Sequence, residues 1–226
     1  MAITVKQPFL PILALLICQL LVLIIQPLLL SGNSFTLLYG LVAGFLLTGV
    51  MLTSLQQTHR IFKWFIMLTV LLSGVLYYIS PDVQLYKTTY IVAIIMLLVV
   101  GTVMQIGAIL KSSRVDKTVL IICINCYITS AYAGAALSWL IETLIPGSFS
   151  ISHPVAIHQL HDFVYFSFVT LATLGYGDVT PVNEFAKVAA IFISLFGQLY
   201  VAIFIAVVLG KYLQHQQQVS SAKEQN

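Results

Sequence analysis

The chain has 226 residues, of which 60% are hydrophobic and only 8% charged, with a formal net charge of +3. A soluble globule is nearer a quarter charged, so this chain has too little polar surface to cover itself in water and reads as an integral membrane protein. The small positive balance gives no support to nucleic-acid binding.

In chain order, Lys6 precedes an apolar run that is too long for a signal peptide and lacks a small-residue cleavage site, which predicts a retained first span. A helix crossing the hydrocarbon core needs roughly 20 apolar residues. Six segments qualify: Pro8 to Leu30, Phe35 to Leu55, Ile61 to Ile79, Thr89 to Leu110, Thr118 to Ile145 and Phe185 to Leu213. The expected fold is therefore an all-α membrane protein of six transmembrane helices. Gly40 and Gly44 form a G-x-x-x-G close-packing face in the second span. Cys18, Cys123 and Cys126 lie inside apolar runs. The C-x-x-C of Cys123 and Cys126 falls one turn apart on the fifth span, where small apolar packing is the reading preferred over redox or zinc chemistry. Asn125 in the same span is expected to bond a neighbouring helix. Gln198 in the sixth faces either a cavity or a helix.

The connector from Pro146 to Glu184 is too long for a tight turn. It holds a second apolar run, Phe163 to Leu174, too short to cross, and the sequence TLATLGYGDVTP from Thr170 to Pro181. A re-entrant helix fits the short run. Its C-terminal end then points toward the membrane centre, where the negative end of its dipole favours a cation. The positive-inside rule orients the chain. Lys6, Arg60, Lys63, Lys111, Arg114, Lys117, Lys211 and Lys223 fall on the side of the termini, and only Lys87 and Lys187 opposite. The termini are thus expected in the cytoplasm and the re-entrant segment on the outside of the plasma membrane. Asp82, Glu142, Asp162, Asp178 and Glu184 fall outside. They either line a cation-concentrating mouth or are solvated loop charges. His153, His158 and His161 share the outer loop. They are read as solvated residues, with pH sensing and zinc inhibition as alternatives.

Non-helical backbone at membrane depth is tolerated only where it is buried in protein or lines a water-filled path. Gly175 and Gly177 alternate with Leu174 and Tyr176. Glycine reaches backbone angles closed to other residues, so the alternation lets successive carbonyls face one side. Such a row replaces the hydration shell of a dehydrated cation. One chain carries one such loop.

Thr173-Leu174-Gly175-Tyr176-Gly177-Asp178 resembles the signature of potassium channels, with leucine for the commoner valine at 174 and Ala172 where a second threonine is frequent. The resemblance covers about Thr118 to Leu213. It implies ion sites for K+ at the carbonyls of Thr173, Leu174, Gly175 and Tyr176, with the Thr173 hydroxyl at the inner end. It implies that Gly177 completes the filter, that Tyr176 braces it, and that Asp178 sits just outside, bonded to Tyr165 on the pore helix. Gly197, twenty residues after Gly177, matches the family's hinge glycine, with close helix packing as the alternative reading. The resemblance also implies a ring of four such loops, and so a homotetramer. Val201, Ile205 and Leu209 beyond it would form an apolar inner gate.

Four helices before a pore resemble the plan of voltage-gated channels, but a sensor needs several arginines along its fourth helix. The fourth span here, TYIVAIIMLLVVGTVMQIGAIL, has none. Residues 1–113 are thus expected to form a sensor-like four-helix domain without sensor charges, residues 114–213 the pore domain, and residues 214–226 a short polar tail that extends the last helix or frays. The expected function is passive potassium conduction with weak or no voltage dependence, with the lipid bilayer and K+ as partners and no cofactor beyond the permeating ion. Three other readings compete. One is a subunit of a mixed channel. Another is a transporter, although uptake subunits carry four degenerate filters in one chain. The third is an enzyme of the G-x-G-D intramembrane aspartyl protease kind. That chemistry needs a second aspartate, and the Tyr-Asp pair that would carry it is absent from the sequence.

Overall fold

The computed structural model describes residues 9–25, 60–112, 115–152 and 160–224. The expected second span, Phe35 to Leu55, lies outside the described residues, and so do Gly40, Gly44, His153 and His158. The described chain runs α1 (Phe9–Ile25), α2 (Arg60–Ile79), α3 (Gln84–Lys111), α4 (Lys117–Leu144), β1 (Phe149–Ile151), α5 (Leu160–Leu171), β2 (Val179–Pro181) and α6 (Glu184–Glu224). It is mostly helical. Among the described residues, α3, α4 and the Glu184–Gly210 part of α6 are long and apolar enough to cross a membrane, and the apolar parts of α1, α2 and α5 are shorter.

Local chemistry sets the helix boundaries. Asp116 caps α4, its carboxylate accepting the Val119 N–H at 2.9 Å, the usual device for satisfying a free first-turn donor. Asn183 does the same for α6 through Ala186 N–H at 2.8 Å. The links between α2 and α3 and between α3 and α4 are short, which makes consecutive helices antiparallel neighbours. At 12 residues α5 is ~18 Å long. At 41 residues α6 reaches ~60 Å, about twice the hydrocarbon core. Its glutamine-rich end continues the helix.

The centre of the fold is α4, which packs against α1, α3, α5 and α6. Buried Ala131, Gly134, Ala135, Ala136 and Ser138 let its neighbours approach closely. On the side facing α1 and α3 a polar knot replaces apolar packing. Thr129 is fully buried and accepts from Gln19 Nε2 at 2.7 Å and Gln105 Nε2 at 3.4 Å, while donating to the Asn125 carbonyl at 2.7 Å. Asn125 donates to the Ile12 carbonyl at 2.9 Å, joining α4 to α1 as its position in the span led one to expect. Cys123 and Cys126 are buried within this packing and form no disulfide. Where α3 begins and α4 ends, Gln84 Nε2 donates to the Thr143 carbonyl at 2.6 Å, and the Lys87 ammonium lies 5.6 Å from the Trp139 ring centre.

The antiparallel pair β1–β2, in register Phe149↔Pro181, Ser150↔Thr180 and Ile151↔Val179, was not expected of an all-α chain. It joins the segment after α4 to the segment after the glycine-rich loop. Phe149 anchors it from below, edge-on to Phe163 and Phe166 at 5.3 and 5.2 Å.

Candidate functional site

The site begins where α5 ends. Thr173 N–H donates to the Thr170 carbonyl at 3.0 Å and Leu174 N–H to the Val169 carbonyl at 2.9 Å. These are the two reverse bonds of a Schellman cap, whose penultimate residue takes the left-handed conformation. Here that residue is Thr173, with φ +59°. Glycine is usual at such a position, and a β-branched residue there is an outlier that costs about 1–3 kcal/mol.

The left-handed angle then recurs at every second residue. Gly175 has φ +57° and Gly177 φ +80°, while Leu174 and Tyr176 between them keep negative φ. In an ordinary strand successive carbonyls point to opposite sides. Alternating handedness turns each second peptide over, so the carbonyls share one side. A Cβ at Gly175 or Gly177 would meet nothing within 4 Å, so backbone angle and not space demands glycine there. In the single chain, residues 172 to 177 are exposed, with Leu174 58% and Tyr176 67% accessible. This apolar and aromatic surface is left for other molecules to cover.

Beyond the loop the chain is held tightly. The Asp178 carboxylate accepts from Tyr165 OH at 2.7 Å and from Val179 N–H at 3.1 Å, and its carbonyl accepts from Ser152 N–H at 2.9 Å. The bond to Asp178, with smaller contributions from burial and nearby charge, pushes the Tyr165 phenol up to about 12. Behind this, Val182 N–H bonds the Ser148 carbonyl at 2.8 Å and Asn183 Nδ2 bonds Ser148 Oγ at 2.6 Å. Ser148 Oγ in turn donates to the Ile145 carbonyl.

The outer acids divide. Glu142, read from the sequence as a mouth carboxylate or a solvated charge, is neither. It is 7% exposed, with its two oxygens accepting Gly147 N–H at 2.8 Å and Phe149 N–H at 3.1 Å. The turn after α4 needs an acceptor for those donors, and the carboxylate supplies it. Glu184 pairs with Lys187 at 2.9 Å, and Asp162 with His161 at 3.0 Å. Among the described residues no group of three His, Cys, Asp or Glu side chains could hold a metal ion.

The inner face of the site is α6, unbroken through Gly197. Gly197 is buried against the carbonyl of Leu171. Tyr127 OH donates to that same carbonyl at 3.4 Å, and Ser167 Oγ donates to the Ala131 carbonyl at 2.6 Å. Tyr200 OH donates to the Cys123 carbonyl at 2.7 Å, within the ring stack Phe196–Tyr200–Phe204. Gln198, Val201, Ile205 and Leu209 are exposed on α6 in the single chain. Sequence reasoning missed Gly134, Glu142 as a brace, and the strand pair. Asn183, polar just before an apolar run, carried a legible helix-start signal.

A family model described as ion channel matches residues 119–214, which contain nearly all of α4, the loop and most of α6. Over this region the chain is similar to potassium channels. It is 39% identical over 77 residues to "Two pore potassium channel c" of Oryza sativa subsp. japonica, covering 32% of this chain and 16% of that protein. It is 35% identical over 72 residues to "Two-pore potassium channel 5" of Arabidopsis thaliana, covering 31% of this chain and 18% of that one. It is 28% identical over 87 residues to the hyperpolarization-activated voltage-gated potassium channel of Methanocaldococcus jannaschii, covering 38% of each. The chain therefore spans well under half the length of these relatives. No solved structure gives a significant match to it.

Proposed function

We propose that the chain is a subunit of a potassium-selective channel in which four copies set their Thr173–Gly177 loops around one axis. The observation that carries this reading is the left-handed angle at every second residue, Thr173, Gly175 and Gly177. A loop of that shape presents the carbonyls of Thr173, Leu174, Gly175 and Tyr176 as a ladder for a dehydrated cation, and four ladders complete its coordination. In this reading α5 is the re-entrant pore helix, its C-terminus aiming negative dipole at the ion path. The exposed loop and the exposed stripe of Val201, Ile205 and Leu209 face the axis, the stripe serving as an apolar gate. The chain crosses the plasma membrane six times with cytoplasmic termini. Residues 1–113 form the sensor-like domain, 114–213 the pore domain and 214–226 the tail. Between Lys87 and Lys111 the α3 sequence has no basic residue, which supports weak or absent voltage dependence.

The test is flux from liposomes holding the purified protein, under opposed potassium and sodium gradients, with barium as blocker and Gly175→Asp as control. Barium-sensitive flux favouring potassium and lost in the variant is expected. Equal potassium and sodium flux, or a protein that remains monomeric in the bilayer, would remove the proposal.

A further inference from the structure

We infer that Gly197 and Gly134 form a seat that sets the depth of α5, and that through α5 they position the filter. The inference rests on the channel reading above. A Cβ built on Gly197 would run into the carbonyl oxygen of Leu171 and lie 2.9 Å from its carbonyl carbon and 3.1 Å from its Cδ1. A Cβ on Gly134 would run into Ser167 Oγ and lie 2.9 and 3.0 Å from two carbons of Ile193. The two glycines stand on different helices, α4 and α6, and touch the same short helix from two sides. Two hydrogen bonds complete the seat, Ser167 Oγ to the Ala131 carbonyl at 2.6 Å and Tyr127 OH to the Leu171 carbonyl at 3.4 Å.

The two contacts differ in what can yield. At Gly134 the obstructing atoms are side-chain atoms, which rotate or can be removed by mutation. At Gly197 the obstruction is the backbone of Leu171, two residues before Thr173. Relief there requires α5 and α6 to part by on the order of 1 Å, the gap between such an overlap and ordinary contact. The first filter residue would move with α5. Gly197 therefore owes its identity to close approach, whether or not α6 bends there.

The experiment measures the potassium-to-sodium flux ratio and the open fraction separately, in liposomes and planar bilayers, for wild type, Gly197→Ala, Gly134→Ala and Gly134→Ala/Ser167→Ala. Gly197→Ala is expected to lower the flux ratio by about tenfold or more, since ligand rings tolerate little displacement. Gly134→Ala is expected to lower it less, and the added Ser167→Ala not to return it to the wild-type value, since that change removes the bond to the Ala131 carbonyl and leaves Ile193 against the new Cβ. A Gly197→Ala channel with wild-type selectivity and an altered open fraction would overturn the seat in favour of a hinge. If Gly197→Ala does not fold, the Gly134 pair decides: wild-type selectivity in Gly134→Ala or in the double variant overturns the inference. A wild type without potassium-selective flux overturns the channel reading itself and the consequence drawn here with it.

Discussion

The hydroxyl of Tyr165 donates a 2.7 Å hydrogen bond to the carboxylate of Asp178. This one bond ties α5 to the chain leaving the glycine-rich loop, and so closes the loop into a ring of fixed circumference. The phenol's ordinary value is 10.0 and the bond holds it near 12. The sign follows directly: a raised value means the protonated, donating form is favoured. The bond is intact below pH 10 and is lost as pH climbs through about 12. In the proposed tetramer, Tyr165→Phe is expected to leave assembly intact and to speed loss of conduction during sustained flux, with an effect already complete at neutral pH. Tyrosine absorbance titrated in wild type and variant should differ by one group ionising near 12. A difference between the two that ionises near 10 would contradict the bond.

Glu142→Ala would leave the N–H groups of Gly147 and Phe149 without their carboxylate acceptor. An orphaned buried donor costs about 1–3 kcal/mol, so thermal unfolding in detergent should fall by several degrees. Glu142→Gln keeps one acceptor oxygen and should fall less. If Glu142 acted instead by concentrating cations at the mouth, both variants would lower conductance equally at low salt and leave unfolding unchanged.

Thr129→Val conserves volume and removes the oxygen that accepts from Gln19 and Gln105. Hydrogen bonds between membrane helices are worth about 0.6 kcal/mol on average and up to about 1.7, so the pair predicts a loss of about 1–2 kcal/mol. Reversible unfolding in mixed micelles measures this. Exchange of the Gln19 and Gln105 side-chain amides by NMR should quicken in the same variant, and unaltered exchange would show that the knot contributes nothing.

Thr173→Gly separates stability from selectivity. Glycine adopts the left-handed angle without the side chain's penalty, so unfolding temperature should hold or rise, by up to about 1 kcal/mol equivalent. The hydroxyl at the inner end of the ladder is lost, so potassium affinity measured by calorimetry should drop. A clear fall in stability would mean that the Thr173 side chain is held by contacts stronger than the backbone strain.

Much of this protein was legible without coordinates because it is encoded locally. Composition demanded a membrane. The apolar runs placed α4 and the start of α6 to within a residue or so, whereas α6 continues to Glu224, past the expected end of the span at Leu213. Two glycines spaced by one residue implied alternating backbone angles before any were seen. The tertiary structure alone decided what those local features press against. Gln19 meets Thr129 across 110 residues of chain. Glu142 turned from a mouth charge into a buried brace because the loop after α4 folds back over it. The strand pair β1–β2 is three residues deep on each side, too short to leave a periodic trace, and it forms because two loops are brought together by α5. Gly134 has no signature at all. Its role exists only where α4, α5 and α6 converge, since close approach is a property of three surfaces and no single segment contains it.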